Sequence, residues 1–175
     1  MNAILPPLLV AALVMPIEAA LLPYLGPYLG MGLDLSGRAE APLCAVVLLA
    51  VGSASTIEGA VGSFLLGALA DVTYQVHPGL FTLTSLVLFV LFRVGPIAKD
   101  VRGPMTFAIL TALAVPLQAA LAFGLLWLSG QPRPEGPLWS VVLGALLTGL
   151  LAPVFYWLSG FGSRLLERED PSLLR

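Results

Sequence analysis

Six long apolar segments, separated by short polar stretches, set the limits on how this chain can fold. They cover residues 3–25, 41–53, 57–74, 80–97, 105–128 and 138–161. Most of them approach the roughly 20 residues that an α-helix needs to cross a hydrocarbon layer about 30 Å thick. Their apolar residues run on continuously, without the period-two alternation of a membrane barrel strand. The sequence therefore predicts six transmembrane helices, the second of them short.

Charged residues support this prediction because they make up only 10% of the 175 residues. A water-soluble domain normally carries about a quarter. A lipid-facing surface resolves the conflict, since apolar side chains then belong outside as well as inside. We expect an all-α integral membrane protein with a six-helix bundle over residues 1–161. A short cytoplasmic juxtamembrane tail over residues 162–175 is expected to form either a surface helix or a frayed end.

The eight basic residues indicate how the bundle is oriented. With both ends in the cytoplasm, six of them fall on the cytoplasmic side and two outside, which is the asymmetry of the positive-inside rule. The cytoplasmic six are Arg93, Lys99, Arg102, Arg164, Arg168 and Arg175, and the external two are Arg38 and Arg133. We therefore expect a multi-pass protein of the cytoplasmic (inner) membrane.

The third apolar segment carries a stripe of small or polar residues four positions apart: Gly59, Ser63, Gly67 and Asp71. At 3.6 residues per turn they share one face of a helix. Small residues on such a face let a second helix approach closely, which drives helix association in lipid. Two interpretations stay open: the stripe packs against helices of the same chain, or it receives a partner protein.

Two acidic residues, Asp71 and Glu18, lie at similar depth in the outer half of their segments. They either frame an outward-facing polar site or act as caps, with Asp71 accepting hydrogen bonds from the backbone of the next turn. Gln118 follows Pro116 by two residues, and we expect it to help satisfy the carbonyl that this proline frees. These residues are the intramembrane polar candidates.

The remaining charges point to ordinary interface electrostatics. Glu58 and Arg93 fall at the cytoplasmic ends of neighbouring segments and are expected to pair, while Lys99 and Arg102 lie in the turn that follows the fourth. His77 has no second ligand at metal-binding spacing, and no nucleophile, zinc or phosphate-binding motif is present. The one cysteine, Cys44, lies in an apolar run and permits neither a disulfide within the chain nor a cysteine metal site. We predict a protein that is not an enzyme, needs no cofactor and, lacking a basic run, binds no nucleic acid.

The segment 59–80 reads GAVGSFLLGALADVTYQVHPGL. It resembles the signature of the MreD family of bacterial rod shape-determining proteins. In that family a glycine-rich span ends in a Gly-Ala-x-x-Asp group, and a Leu-Gly pair closes the following turn eight residues after the Asp. Gly67, Ala68 and Asp71 match the first part, and Gly79 matches the second.

The resemblance also has departures. Tyr74 and Gln75 stand where the family usually has a Ser-Gly pair, and Pro78 replaces the leucine before Gly79. The likeness can be laid over most of the chain, but only these twenty-odd residues are specific to the family.

The resemblance implies a six-helix fold similar to the substrate-binding subunits of energy-coupling-factor vitamin transporters. It implies a non-catalytic role in the cell-elongation complex, in which the protein binds an MreC-like scaffold. Through that scaffold it would act with MreB filaments and with the glycosyltransferase and transpeptidase of peptidoglycan synthesis. The alternative is the substrate-binding membrane subunit of a small-molecule importer, with an outward site formed by Glu18, Asp71, His77 and Gln118.

Overall fold

A computed structural model describes residues 5–29, 40–52, 55–74, 78–95, 103–130 and 138–168 of the chain. This part is all-helical and contains six helices. They are α1 (Leu5–Leu29), α2 (Ala41–Val51), α3 (Thr56–Tyr74), α4 (Leu80–Val94), α5 (Pro104–Leu128) and α6 (Leu138–Arg168). The side chains of residues 18–29, 74, 138, 140 and 161–168 lie outside the described part.

The six helices correspond one to one with the six apolar segments, and five of them start within one residue of the expected position. The largest difference lies at the end of α6, which continues without a break from residue 161 to Arg168. The separate tail expected from residue 162 therefore begins as a continuation of the sixth helix. Pro116 and Pro153 lie inside α5 and α6 and end neither helix.

Local signals explain several helix starts. Pro104 is the first residue of α5 and Pro42 the second of α2, positions where the missing N–H of proline costs nothing because it has no partner inside the helix. At the start of α3, the amide of Glu58 donates to Oγ of Ser55 at 3.2 Å, and the amide of Ser55 donates to Oε2 of Glu58 at 3.4 Å. This reciprocal capping box satisfies two of the amides that a helix start leaves without partners.

The bundle has apolar side chains on its outside and hydroxyl and amide groups in its interior. Large apolar residues such as Leu13, Ile57 and Leu150 are 69%, 79% and 75% exposed. The buried polar residues include Ser63, Thr84, Ser85, Thr111, Gln118, Thr148 and Ser159. Such an apolar exterior is unfavourable in water and suits lipid.

Three of the helices are long and apolar enough to cross a membrane: α3 over Thr56–Thr73, α5 over Pro104–Leu128 and α6 over Val141–Gly160. The apolar stretches Leu5–Ile17, Ala41–Val51 and Leu80–Val94 are shorter. At 1.5 Å per residue α2 is about 16 Å long and α4 about 22 Å. Both are therefore shorter than a hydrocarbon layer of about 30 Å.

The shortest helix, α2, lies at the centre of the bundle. It contacts each of the other five helices, and all but two of its residues are buried. Around it the core is filled by large side chains with almost no exposure, among them Met15, Leu43, Leu49, Leu66, Leu88, Phe89, Phe107 and Phe155. The ring of Phe107 also lies 5.4 Å from that of Tyr156, which joins α5 to α6 inside this core.

The other helices associate mainly as two neighbouring pairs, α3 with α4 and α5 with α6. In the second pair, Gly149 of α6 lies against α5, where a Cβ atom on it would stand 3.1 Å from Cβ of Ala112. The first pair carries the residues that the sequence singled out.

Candidate functional site

The small-residue stripe of α3 faces the interior of the bundle. Gly59, Ser63 and Gly67 are all buried. A Cβ atom added to Gly59 would stand 2.5 Å from Cε2 of Phe89 and 3.6 Å from the carbonyl oxygen of Leu49. This end of the stripe is therefore in contact with both α4 and α2.

Gly67 allows the backbones of α3 and α4 to approach each other closely. A Cβ atom at this position would stand 2.5 Å from Cα of Thr82, 2.9 Å from the Thr82 nitrogen and 2.8 Å from the carbonyl oxygen of Phe81. All three are backbone atoms, which cannot turn aside as the end of a side chain can. Contact at this distance is the reason that glycine is needed here.

Between the two glycines, Ser63 is completely buried and its Oγ has no hydrogen-bond partner. Its small volume fits the close packing of the stripe, and its hydroxyl takes no part in the contacts that join the helices. Ala68, beside Gly67 in the matched motif, is half-buried. Of the two interpretations of the stripe, packing within the chain describes what these residues do in the structure.

Asp71 caps the first turn of α4 from the end of α3. Its Oδ1 accepts a hydrogen bond from the amide of Phe81 at 2.8 Å. Its Oδ2 accepts from the amides of Gly79 and Thr82 at 3.0 and 3.2 Å, and from the Thr82 hydroxyl at 2.6 Å. Four donors thus converge on one carboxylate, which corresponds to the capping interpretation of this residue.

The N-cap position of α4 is Gly79, which has no side chain to cap the helix. Asp71 supplies the missing acceptor from the preceding helix, and this satisfies amides that a helix start otherwise leaves unpaired. Gly79 itself has φ +86°, the left-handed region that favours glycine. The spacing of eight residues between Asp71 and Gly79 therefore has a physical reason: it brings the cap onto the turn.

At the opposite end of the same pair, Arg93 joins α4 to α2. Its Nη1 donates to the carbonyl oxygens of Ala50 and Gly52 at 3.1 and 2.9 Å. These carbonyls belong to the carboxyl end of α2, where the helix dipole favours a cation. Its expected neighbour Glu58 is part of the capping box of α3. Sequence reasoning missed the contact of Arg93 with the backbone of α2.

The amino end of α2 carries a second contact that the sequence did not reveal. Glu40 precedes the helix and is 7% exposed, and its amide donates to Oγ1 of the fully buried Thr148 of α6 at 3.0 Å. The two residues are 108 positions apart, so no local pattern connects them. Both ends of α2 are thus joined to other helices by hydrogen bonds to its backbone.

The remaining polar candidates do not join Asp71 in one site within the described residues. Gln118 lies on the buried face of α5, 6% exposed, and its Oε1 has no hydrogen-bond partner. Glu18 lies in α1, with its side chain outside the described part. His77, Lys99 and Arg102 also lie outside it. Cys44 is buried at the centre of the bundle.

This geometry describes an arrangement that holds helices together. Asp71 acts as a hydrogen-bond acceptor for a turn, the glycines allow backbone contact, and Arg93 binds carbonyl groups. Among the described residues no group of three His, Cys, Asp or Glu side chains lies together as a metal site would require. The chain matches no known protein family, no curated protein and no solved structure with which it was compared.

Proposed function

We propose that this chain is a non-catalytic, multi-pass subunit of the bacterial cytoplasmic membrane that binds an MreC-like scaffold of the cell-elongation complex. In this proposal all six helices take part in six membrane crossings, and both chain ends lie in the cytoplasm. The protein supports MreB-directed peptidoglycan synthesis by holding the scaffold in the membrane.

The observation that carries the proposal is the α3–α4 hairpin. Gly67, Asp71 and Gly79 are three of the four residues in which the chain resembles the MreD signature. Each has a distinct role where α3 meets the start of α4: backbone contact, capping and the left-handed conformation. A motif whose residues depend on one another in this way is a stronger basis for a likeness than apolar composition. The apolar exterior and the distribution of arginine and lysine support the membrane setting.

The proposal also restricts where the scaffold can bind. Because Gly59 and Gly67 already contact α4, a partner helix cannot use their stripe without separating the hairpin. Its binding surface must therefore lie on the exposed apolar faces of the bundle, where association in lipid depends on close packing.

Depletion of the protein in its bacterial host tests this role. We expect rod-shaped cells to become spherical, and we expect the tagged protein to co-purify with a single-span scaffold of the MreC type. Re-expression of the wild type or of Gly124→Ala, where nothing lies within 4 Å of the added atom, should restore rods. Normal rods after complete depletion would reject the proposal.

The orientation is tested separately with reporter fusions. A fluorescent protein fused after residue 175 should be bright and alkaline phosphatase at the same position inactive, because both report a cytoplasmic end. A phosphatase inserted between α5 and α6 should be active. A dark fluorescent fusion and an active phosphatase after residue 175 would contradict the proposed orientation. The proposed partner is tested independently, by co-purification.

One observation favours a second candidate, the substrate-binding subunit of a small-molecule importer. The buried Oε1 of Gln118 has no partner, and a bound molecule could supply the missing donor. Asp71 contributes less to this candidate, since its carboxylate already accepts four hydrogen bonds. Riboflavin, thiamine or biotin should then raise the melting temperature of the purified protein. The same ligand should raise the melting temperature of the Gln118→Leu variant by a smaller amount. No shift with any of the three would count against this function.

A further inference from the structure

The central helix α2 is too short to cross the membrane by itself. Its 11 residues span about 16 Å, roughly half of the hydrocarbon layer. It contacts all five other helices, so it is enclosed by protein on every side. In a hydrocarbon layer of this thickness, at least one end of α2 lies below the surface of the layer.

The hydrogen bond from Glu40 to Thr148 indicates which end this is. Thr148 lies ten residues after Leu138, where α6 begins, and thirteen before residue 161, where the apolar segment ends. At 1.5 Å per residue this is roughly 15 Å from one end of the segment and roughly 20 Å from the other. The amide of Glu40, 3.0 Å from Oγ1 of Thr148, shares this depth.

A backbone amide at this depth is strongly unfavourable without an acceptor, because lipid offers none. Thr148 supplies that acceptor from a fully buried position. At the other end of α2, Arg93 donates to the carbonyl oxygens of Ala50 and Gly52, so that this end is held by α4. The helix is thus fixed to two different neighbours.

We propose that α2 is a half-length helix whose amino end, with Glu40, is latched within the hydrocarbon layer by the hydroxyl of Thr148. Opening of this latch is the step that separates α2 from α6. Glu40 is ionisable, so the latch places it at a depth where a charge is costly. The inference is independent of the partner proposed above, since it concerns only depth and helix contact.

Depth is measured first, in lipid bilayers and in a Cys44→Ala background. Nitroxide labels at Leu146 and Leu150, which are 60% and 75% exposed on either side of Thr148, report the depth of the latch. Labels at Trp139 and Gly160 report the two ends of the apolar segment of α6. We expect the ratio of collisions with oxygen to collisions with a polar nickel chelate to be several-fold higher at the two leucines. Equal ratios at all four positions would overturn the proposal.

The latch itself is measured with Cys44, the only cysteine of the chain, which lies one turn from Glu40 and is 1% exposed. Alkylation by N-ethylmaleimide, followed by mass spectrometry of the intact protein in bilayers, reports how often the amino end of α2 opens. Thr148→Val removes the acceptor while keeping the shape, and we expect it to raise the alkylation rate at least tenfold. Thr148→Ser keeps the hydroxyl and should alkylate within about twofold of the wild type.

The matched control is Thr111→Val. Thr111 is as completely buried as Thr148, but its hydroxyl donates to the carbonyl of Phe107 in its own helix. The Thr111→Val variant should leave the alkylation rate of Cys44 within about twofold of the wild type. The latch would be overturned if Cys44 in Thr148→Val were alkylated as slowly as in the wild type. It would also be overturned if Cys44 in Thr111→Val or Thr148→Ser were alkylated as fast as in Thr148→Val. If Thr148→Val cannot be purified, Thr148→Ala against Thr148→Ser gives the same comparison.

Discussion

Gly67 and Thr82 lie so close together that a Cβ atom on the glycine would stand 2.5 Å from Cα of the threonine. This is a contact between the backbones of α3 and α4. Asp71 lies one turn further along α3 and binds the amide of the same threonine. Packing and capping therefore act on one short segment, and each depends on the other being in place.

The first prediction concerns this contact. Gly67→Ala should lower the free energy of unfolding by about 3 kcal/mol, because the methyl group meets backbone and the two helices must move apart. Unfolding in mixed detergent micelles measures the loss. Gly124→Ala is the control, since its added atom meets nothing within 4 Å. Equal stability of the two variants would show that α3 and α4 are not in contact at this point.

The second prediction concerns the cap. Asp71→Ala should lower the free energy of unfolding by about 2 kcal/mol, since it leaves the part-buried amides of Phe81 and Thr82 without their acceptor. Asp71→Asn retains one acceptor oxygen and should lose roughly half as much. Hydrogen exchange at the amides of Phe81 and Thr82 should accelerate in both variants. Unchanged exchange at these two amides would contradict the capping role.

The third prediction concerns the conformation of Gly79. Gly79→Ala should lower the free energy of unfolding by about 1–2 kcal/mol through backbone strain alone, because nothing lies within 4 Å of the added atom. Gly79→Asn should cost less, since asparagine tolerates the left-handed region better than alanine does. Both variants are compared by thermal unfolding. An alanine variant as stable as the wild type would mean that the turn has another conformation.

The fourth prediction concerns the carboxyl end of α2. Arg93→Met should lower the free energy of unfolding by about 2 kcal/mol, because two carbonyl groups lose a charged donor. Arg93→Lys keeps a positive charge near the end of the helix dipole and should lose less. Chemical unfolding monitored by tryptophan fluorescence measures both. A lysine variant less stable than the methionine variant would contradict this account.

Much of this fold could be predicted from the sequence because each helix coincides with an apolar run between polar residues. Most boundaries of α2 to α5 agree within two or three residues for this reason. The extension of α6 to Arg168 was not predicted, since charged residues end an apolar run without ending a helix. The six crossings and the position of the chain ends remain predictions.

In the candidate site, too, contacts between residues close in sequence could be predicted and contacts between distant residues could not. The contact of Asp71 with Phe81 in the following turn spans ten residues. The position of this acidic residue just before a turn suggested that it accepts backbone hydrogen bonds there. The capping box of Ser55 and Glu58 is a local pattern that a search for serine followed by glutamate three residues later would have found. The contacts of Arg93 with Ala50 and of Glu40 with Thr148 join residues far apart in sequence. One sequence read without relatives contains no signal for such pairs.

The central position of α2 has a consequence for how the protein is made. The second helix to leave the ribosome is too short to cross the bilayer unaided, and the oxygen that accepts the amide proton of Glu40, just before this helix, belongs to the last helix. Until translation passes residue 148, α2 lacks its contacts with α6 and is not fully surrounded by helices. A nascent chain that stops after α5 should therefore remain loosely assembled and exposed to membrane proteases, however apolar its helices are.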